Sequence, residues 1–544
     1  MAVINFSKKD FLSLVGKELS DQELDDAVSM IGAPLDSMEG DEVAVEITPD
    51  RPDLLCVEGI ARAVRAFAGV EEGLKTYEAA DSGMELKVDK SVKDVRPFIA
   101  AAAVKNVELT DELVASLMQL QEKLHDTLGR KRKKVSIGVY DLDTVQAPFV
   151  YKAVKPESVE FVPLEMNERM NMHQILEKHP KGIAFAEIVK EYENYPVLMD
   201  KYGKVLSFPP IINSEDTRVT PETKNLFIDC TGSSYYAVMD SLQIICAALA
   251  DRGARIETIL VRDGRKKIVS PDLSPIKTKA SANKINKLLG LDLSAGEMAG
   301  LLGKLGHTAK AKKKSLTVYS PFYRNDLLHW VDVAEDVAIA YGYNNIETTL
   351  PGFASIGKPD PTQTRDDKIR QVMIGMGYCE TLNWYITNEE KNYSWMLTEG
   401  DDAVKMKNPL TSTLTMMRTW ITPSLLEVFS INKSEKMPQK IFEVGDVATM
   451  KGEEAVEERK LAGAIIDAKA SFNDMKSVVE TVMFEMDWEH ELKELKNHPS
   501  FIPGRAAEII CKGKAIGFFG EIHPQVLNNF GLEQPTAVFE LYLE

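Results

Sequence analysis

Apolar residues recur at three- and four-residue intervals through Val333, Val337 and Ala340, with Ala334, Ala338 and Tyr341 beside them. The stretch YSPFYRNDLLHWVDVAEDVAIAYGYNNI (Tyr319–Ile346) therefore predicts a loop running into a helix that begins near Asp332. In residues 1–75, Ser7 precedes a helix start, and Ser20 with Glu23 forms a capping-box pattern before Leu24, Ala27, Val28 and Ile31. The strand VAVEI follows, then the turn TPDRPD, where Asp53 is expected to cap a helix carrying Val57, Ile60, Ala61, Val64 and Phe67, with Gly69 ending it. Residues 76–265 mix strands and helices, including a strand NLFIDCTG (Asn225–Gly232) and a helix over about Tyr236–Arg252.

Residues 266–350 hold two short helices, Ser281–Gly290 and Ser294–Gly306, a basic turn at Lys310–Lys314, the strand LTVYS and the acidic helix. This arrangement is compatible with a small winged-helix-like domain. In residues 351–544 the strand-like runs YCETLNWYI, KIFEVGDVA, LAGAIID, AAEIICKG, AIGFFGEI and AVFELYLE alternate with helices at Pro423–Asn432 and Asn473–Phe484. They predict a largely antiparallel sheet with helices on one face. The fold class is thus α+β and multidomain, with divisions at 1–75, 76–265, 266–350 and 351–544.

Composition narrows the picture. A chain of 544 residues with 44% hydrophobic and 27% charged residues can bury several cores. Its net charge of −18 argues against gripping nucleic acid by bulk electrostatics, although local basic patches stay possible. Cys56, Cys230, Cys246, Cys379 and Cys511 are far apart and odd in number, so they form neither a disulfide framework nor a CxxC clamp. No signal-peptide core opens the chain, and the most apolar run, Ile244–Ala250, is too short to cross a bilayer, so a cytoplasmic location without membrane association is expected.

The candidate chemistry begins with acids. Asp332, Glu335 and Asp336 lie at helical spacing on one face, and Asp326 precedes them in the entering loop. Like charges so placed cost a helix about 0.2–0.5 kcal/mol per pair, partly offset by the macrodipole. Two readings follow: a solvated helix start with Arg324 as counter-ion, or an oxygen-ligand site suited to Mg2+ or Ca2+. The run GRKRKKVSIGVYDLD (Gly129–Asp143) carries five basic residues before a strand, as a solvated turn or an RNA-backbone contact. Asp229 and Thr231 fall at a strand end facing a helix start, where ligands often bind, or where Thr231 or Ser233 simply caps the helix. GFASIGKP (Gly352–Pro359) imitates a phosphate loop but has Pro359 in place of the metal-binding hydroxyl, and is rejected.

Four stretches coincide with one family. EITPDRPDLLCVEGIARAVRAFAG, PPIINSEDTRVTPETKNLFIDCTG, RNDLLHWVDVAEDVAIAYGYNNI, and NPLTSTLTMMRTWITPSLLEVFSINK with KIFEVGDV together resemble the beta subunit of phenylalanyl-tRNA synthetase in its shorter archaeal and eukaryotic-type form. The resemblance runs through essentially the whole chain in order; Asp50 departs from it, since the family more often has Asn there.

The resemblance implies an obligate catalytic alpha subunit in an alpha2 beta2 heterotetramer, ATP used at the alpha-subunit active site, and tRNA for phenylalanine as partner. It implies an N-terminal α/β domain, a mixed editing domain at 76–265, the small helical domain with the acidic helix, and a final class II synthetase-like domain. That last domain is expected to be inactive, because GKAIGFFGEIHP follows Glu521 with Ile522 where the catalytic version ends in Glu-Arg. Resemblance to the shorter form also implies that the anticodon-binding domain of the bacterial-type subunit is not expected after Glu544. Asp326, Asp332, Glu335 and Asp336 match the family's quartet for a Mg2+ shared with the alpha subunit.

Editing has a physical motive, since a pocket for Phe rejects an isostere bearing one added hydroxyl by only about 100-fold. A second site that hydrogen-bonds the hydroxyl of Tyr does better, because Phe leaves its polar groups unpaired. The family-like editing positions are Leu206, Ser207, Asn213, Asp229 and Thr231, with Asp229 as acceptor and Thr231 and Asn213 as polar walls. A competing reading is a scaffold subunit without editing activity, and a further one a free-standing nucleic-acid-binding protein.

Overall fold

The computed structural model describes residues 2–350, 352 and 355–543, so Phe353 and Ala354 of the GFASIGKP stretch lie outside the described residues. The chain divides into two compact units, residues 1–350 and 351–544.

The first unit is built on a ten-stranded mixed sheet. Its strands are β1 (Ala79–Val88), β2 (Phe98–Lys105), β3 (Val135–Asp141), β4 (Phe149–Val154), β5 (Tyr195–Met199), β6 (Val205–Phe208), β7 (Ile212–Asn213), β8 (Leu226–Gly232), β9 (Arg255–Asp263) and β10 (Lys266–Ser270). The order is β7-β6-β5-β4-β1-β9-β2-β8-β3, with β10 paired to β9. The pairs β1·β9 and β1·β4 are parallel.

The central strands are buried at nearly every position, and because successive side chains point to opposite faces, both faces are covered. Ala100, Ala102 and Val104 of β2, Ile228 and Cys230 of β8, and Val135 and Ile137 of β3 join one core, shared with helix α1 (Tyr235–Asp251). That helix is apolar nearly all round, from Ala237 to Leu249, and is correspondingly buried. Residues of the N-terminal three-stranded sheet and its helices, among them Ile4, Phe11, Val28, Val45 and Ile60, belong to the same core. Ile99, Ala101, Ala103, Tyr140 and Phe227 point to the opposite face, into a second core with Leu206 and Leu198.

Local signals behave as expected at Ser20, whose side chain and Glu23 form a complete capping box. Asp53 differs. The helix Val57–Phe67 starts without a side-chain cap, and Asp53 sits in a 3-10 turn bonded to Arg51 Nε and NH2 at 2.8 Å. A buried carboxylate is better satisfied by a bidentate guanidinium than by a helix terminus several residues away. Further on, a three-stranded sheet (Ile276–Ser281, Ser315–Ser320 and Thr308–Lys312) packs against helices Ala282–Leu289 and Ala295–Gly303 and helix α2 (Trp330–Tyr341).

The second unit carries a seven-stranded sheet, antiparallel except for one short edge pair. The run YCETLNWYI gives only two-residue strands at Cys379–Glu380 and Ile386–Thr387. Helices lie on both faces rather than one. Pro361–Gly375 and Phe472–Glu485 share a core with Phe442, Leu461 and Phe539, whereas Thr422–Ile431 and Pro524–Asn529 share another with Ile441, Ala462 and Val538. The cause is visible in Leu461–Ile466, where neighbouring residues on opposite faces are all apolar. Gly463 faces Phe539 across the sheet, and a Cβ there would overlap the ring. Gly463→Ala is expected to destabilise this unit by about 1–3 kcal/mol, measured as a fall in its chemical-denaturation midpoint.

Candidate functional site

Strands β3 and β7 are the two ends of the large sheet, yet they face each other. The Tyr140 hydroxyl of β3 lies 2.8 Å from Ser207 Oγ of β6, Asn213 Nδ2 donates to Val139 O at 3.3 Å, and Arg132 NH1 donates to Pro210 O at 3.2 Å and Ile211 O at 2.9 Å. Between these edges is a cavity of about 330 Å³.

The cavity's polar floor follows from the register of β3 and β8. Asp229 is opposite Gly138 and Thr231 opposite Ser136, so Asp229, Thr231, Ser136, Gly138 and Tyr140 share one face. Tyr140 donates to Asp229 Oδ1, and a Cβ on Gly138 would overlap the Tyr140 hydroxyl and crowd that oxygen. Burial raises the Asp229 carboxyl to about 7, against the opposing effects of the Tyr140 hydrogen bond and the Arg96 charge. Apolar walls come from Val139, Phe208 and Ile212.

The outer edge of β3 is capped by side chains instead of a strand. His125 Nε2 accepts from Ile137 N at 2.9 Å, and Gln121 Nε2 donates to Ile137 O at 2.8 Å. Burial, helped by Arg132 and Arg96, lowers His125 to about 3, so the ring stays neutral and can accept.

Ser207, Asn213 and Asp229 thus line the cavity. Thr231 lies behind it: its hydroxyl is 2.9 Å from Arg96 Nε and 3.0 Å from Ser136 Oγ, and it is fully buried. Leu206 is a core side chain whose carbonyl accepts from Ser214 N at 2.8 Å. The residues that sequence reading passed over are Gly138, Tyr140, Ser136 and Arg96. The first three were marked only by their two-residue spacing in VSIGVYD; Arg96 carries no local signal.

The acidic helix is arranged differently from a four-ligand cage. Arg324 bonds Asp326 through Nε at 2.9 Å and NH2 at 2.7 Å, and reaches Asp336 Oδ2 at 2.9 Å. His307 Nε2 is 2.7 Å from Asp336 Oδ2. Asp336 is buried and, through Arg324 and His307, held well below the usual carboxylate range. Asp332 accepts from Leu328 N at 2.7 Å and His329 N at 2.6 Å, capping the helix start. Glu335 is exposed, and its carboxyl is raised by partial desolvation and by Asp336, Asp50, Asp332 and Asp326. Among the described residues no three His, Cys, Asp or Glu side chains converge as a cation site. The quartet divides instead into an inner pair, Asp326 and Asp336, bridged by Arg324, and an outer pair, Asp332 at the helix start and the exposed Glu335.

In the second unit the buried acids are paired internally. Glu443 accepts from Arg418 at 2.6 Å and Asn383 at 2.7 Å; Glu540 accepts from Thr422 N at 2.9 Å and lies 3.1 Å from Lys460. Glu521 bonds Phe472 N at 2.9 Å and Arg505 at 2.6 Å.

Comparison with known proteins gives three family matches: a B3/4 domain over residues 114–245, a tRNA synthetase B5 domain over 278–343, and a phenylalanyl tRNA synthetase beta chain CLM domain over 346–543. The phenylalanine–tRNA ligase beta subunits of Methanococcoides burtonii and Methanocaldococcus jannaschii are 41% and 40% identical, each alignment covering 100% of both chains. A crystal structure of an N-terminal fragment of the Pyrococcus horikoshii phenylalanyl-tRNA synthetase beta subunit superposes with a TM-score of 0.61 at 38% identity, covering 63% of this chain and 100% of the fragment.

Because Asp336 is buried with its charge balanced by Arg324, Arg324→Met is expected to cost about 3–5 kcal/mol, the penalty of a stranded buried charge. Pairing it with Asp336→Asn should recover part of that loss in denaturant titrations.

Proposed function

We propose, for a chain that belongs to the phenylalanine–tRNA ligase beta-subunit family, that it supports phenylalanyl-tRNA synthesis at a catalytic alpha subunit and hydrolyses tyrosine mis-attached to tRNA. The observation that carries the editing reading is the Asp229–Tyr140–Ser207 group at the floor of a cavity of about 330 Å³. An aromatic ring between Val139, Phe208 and Ile212 brings a phenolic hydroxyl to Asp229, which accepts it. Phenylalanine would offer that carboxylate no donor beyond the Tyr140 hydroxyl it already has, and that asymmetry is a stronger discriminator than shape. No serine or cysteine nucleophile with a base is needed, since ester hydrolysis can proceed through a positioned water.

The assembly is read as two alpha and two beta chains in the cytoplasm, with ATP and Mg2+ serving aminoacylation at the alpha subunit. The final domain acts as structural support, its buried acids being engaged by Arg418 and Lys460. The acidic quartet Asp326, Asp332, Glu335 and Asp336 is read as the metal edge. Glu335 and Asp332 would hold a shared Mg2+, which keeps several waters, while Asp326 and Asp336 set the field through Arg324. Such an ion supplies positive charge at the subunit boundary.

In the reconstituted complex, deacylation of Tyr-tRNA should rise with pH through about 7 as Asp229 ionises. Asp229→Asn should slow it by at least about tenfold, the loss of roughly one charged hydrogen bond, and abolish that inflection. Unchanged rate and profile would remove Asp229 from the reaction. For the metal, crystals of the complex soaked in Mn2+ should give an anomalous peak beside Glu335 and Asp332, lost in Glu335→Gln; a flat map there rules the ion out.

A further inference from the structure

The turn entering β3 is an unusual piece of backbone. Arg130, Lys131 and Arg132 have φ of 48°, 54° and 65°, three consecutive left-handed residues, none of them Gly, Asn or Asp. Surrounding structure enforces this conformation. Arg132 N bonds His125 O at 3.1 Å, Lys134 N bonds Gly129 O at 2.8 Å, and a Cβ on Gly129 would crowd the His125 and Val135 carbonyls. Arg96 NH2 donates to Arg132 O at 3.2 Å, and NH1 to Lys133 O at 3.4 Å. The same guanidinium holds Thr231 O at 2.7 Å and Ser136 Oγ at 3.1 Å, so the turn and the cavity floor share one anchor.

The side chains divide in use. Arg132 lines the cavity, its guanidinium bound to the Pro210 and Ile211 carbonyls and 4.5 Å above the Phe185 ring. Arg130, Lys131 and Lys133 are exposed, and no ion pair among the described residues involves them. Glu122 and Asp126 of the preceding helix act on Arg132. Lys181, also exposed, stands at the cavity rim. In a chain of net charge −18, this turn holds three exposed cations without ion-pair partners among the described residues, in sequence beside Arg132, which lines the cavity as Lys181 does.

We propose that Arg130, Lys131, Lys133 and Lys181 form a phosphodiester-binding rim that threads the single-stranded 3′ end of an RNA into the cavity. The proposal rests on the editing reading for the identity of the RNA's cargo. A rigid turn suits this task because it presents its charges at a fixed height above the floor, without ordering a flexible loop at each binding event. It also means that the strand's phosphates, not its bases, are recognised.

The test is Lys131→Glu/Lys133→Glu in the reconstituted complex. KM for Tyr-tRNA deacylation should rise about tenfold or more with kcat nearly unchanged, and the log–log salt dependence should flatten by about 0.7 for each phosphate no longer neutralised. Hydrolysis of 3′-O-tyrosyl adenosine, which has no phosphate, should not change. Equal losses on both substrates would mean that the turn only supports the pocket, and no loss on either would mean that the rim is idle; each overturns the proposal. Phosphorothioate footprinting of uncharged tRNA gives a readout independent of hydrolysis. Protection of the 3′ single-strand phosphates by the wild-type complex, abolished in the variant, supports the rim even if the wild type deacylates nothing and the editing reading falls. Absent protection overturns it.

Discussion

A sheet whose two end strands face each other without pairing leaves two rows of backbone donors and acceptors to satisfy. In the first unit that constraint shapes most of what surrounds the cavity. His125 and Gln121 take the Ile137 amide and carbonyl, Asn213 takes the Val139 carbonyl, and Arg132 takes the carbonyls of Pro210 and Ile211. Had the strands closed on each other, those side chains would have no role and the cavity would not exist. The opening is thus held by polar side chains at its margins.

Arg96 is the second element on which the region turns. One guanidinium bonds two carbonyls of the basic turn, the Thr231 carbonyl and the hydroxyls of Thr231 and Ser136, and its charge acts on Asp229. Burial lowers it only to about 10, so it stays charged at neutral pH. The consequence is a compromise at Asp229. Burial pushes the carboxyl up, while Tyr140 and Arg96 pull it down, leaving it poised near neutrality. A carboxylate in this state accepts a hydroxyl well, and the Tyr140 hydroxyl keeps one of its oxygens paired when no ligand is bound.

The acidic helix follows the same logic with opposite emphasis. Arg324 lies between Asp326 and Asp336 and removes the repulsion that their spacing alone would impose. His307, neutral because it is buried, donates to Asp336 and leaves its Nδ1 without a partner. Asp332 serves the helix terminus, and only Glu335 stays fully committed to the surface. A row of acids is therefore sorted by burial into structural and exposed members.

Much of this protein was legible from the chain alone. Capping signals such as Ser20 with Glu23, the apolar runs of the later strands and the period of Trp330–Tyr341 fixed many elements, because these depend on neighbours within a few residues. Motif content likewise singled out Asp229 and the acidic quartet. Tertiary structure decided what the local pattern could not. Thr231 and Asp229, two residues apart on one face, differ in access because one meets Ser136 beneath the turn and the other meets Gly138 at the cavity. Asp332 and Asp336, one helical turn apart, differ because Arg324 and His307 arrive from other elements. Arg96, 135 residues from Thr231, carries no signal at all until the fold joins them. Spacing sets which way a side chain points along its own element; what it meets there depends on neighbours distant in sequence.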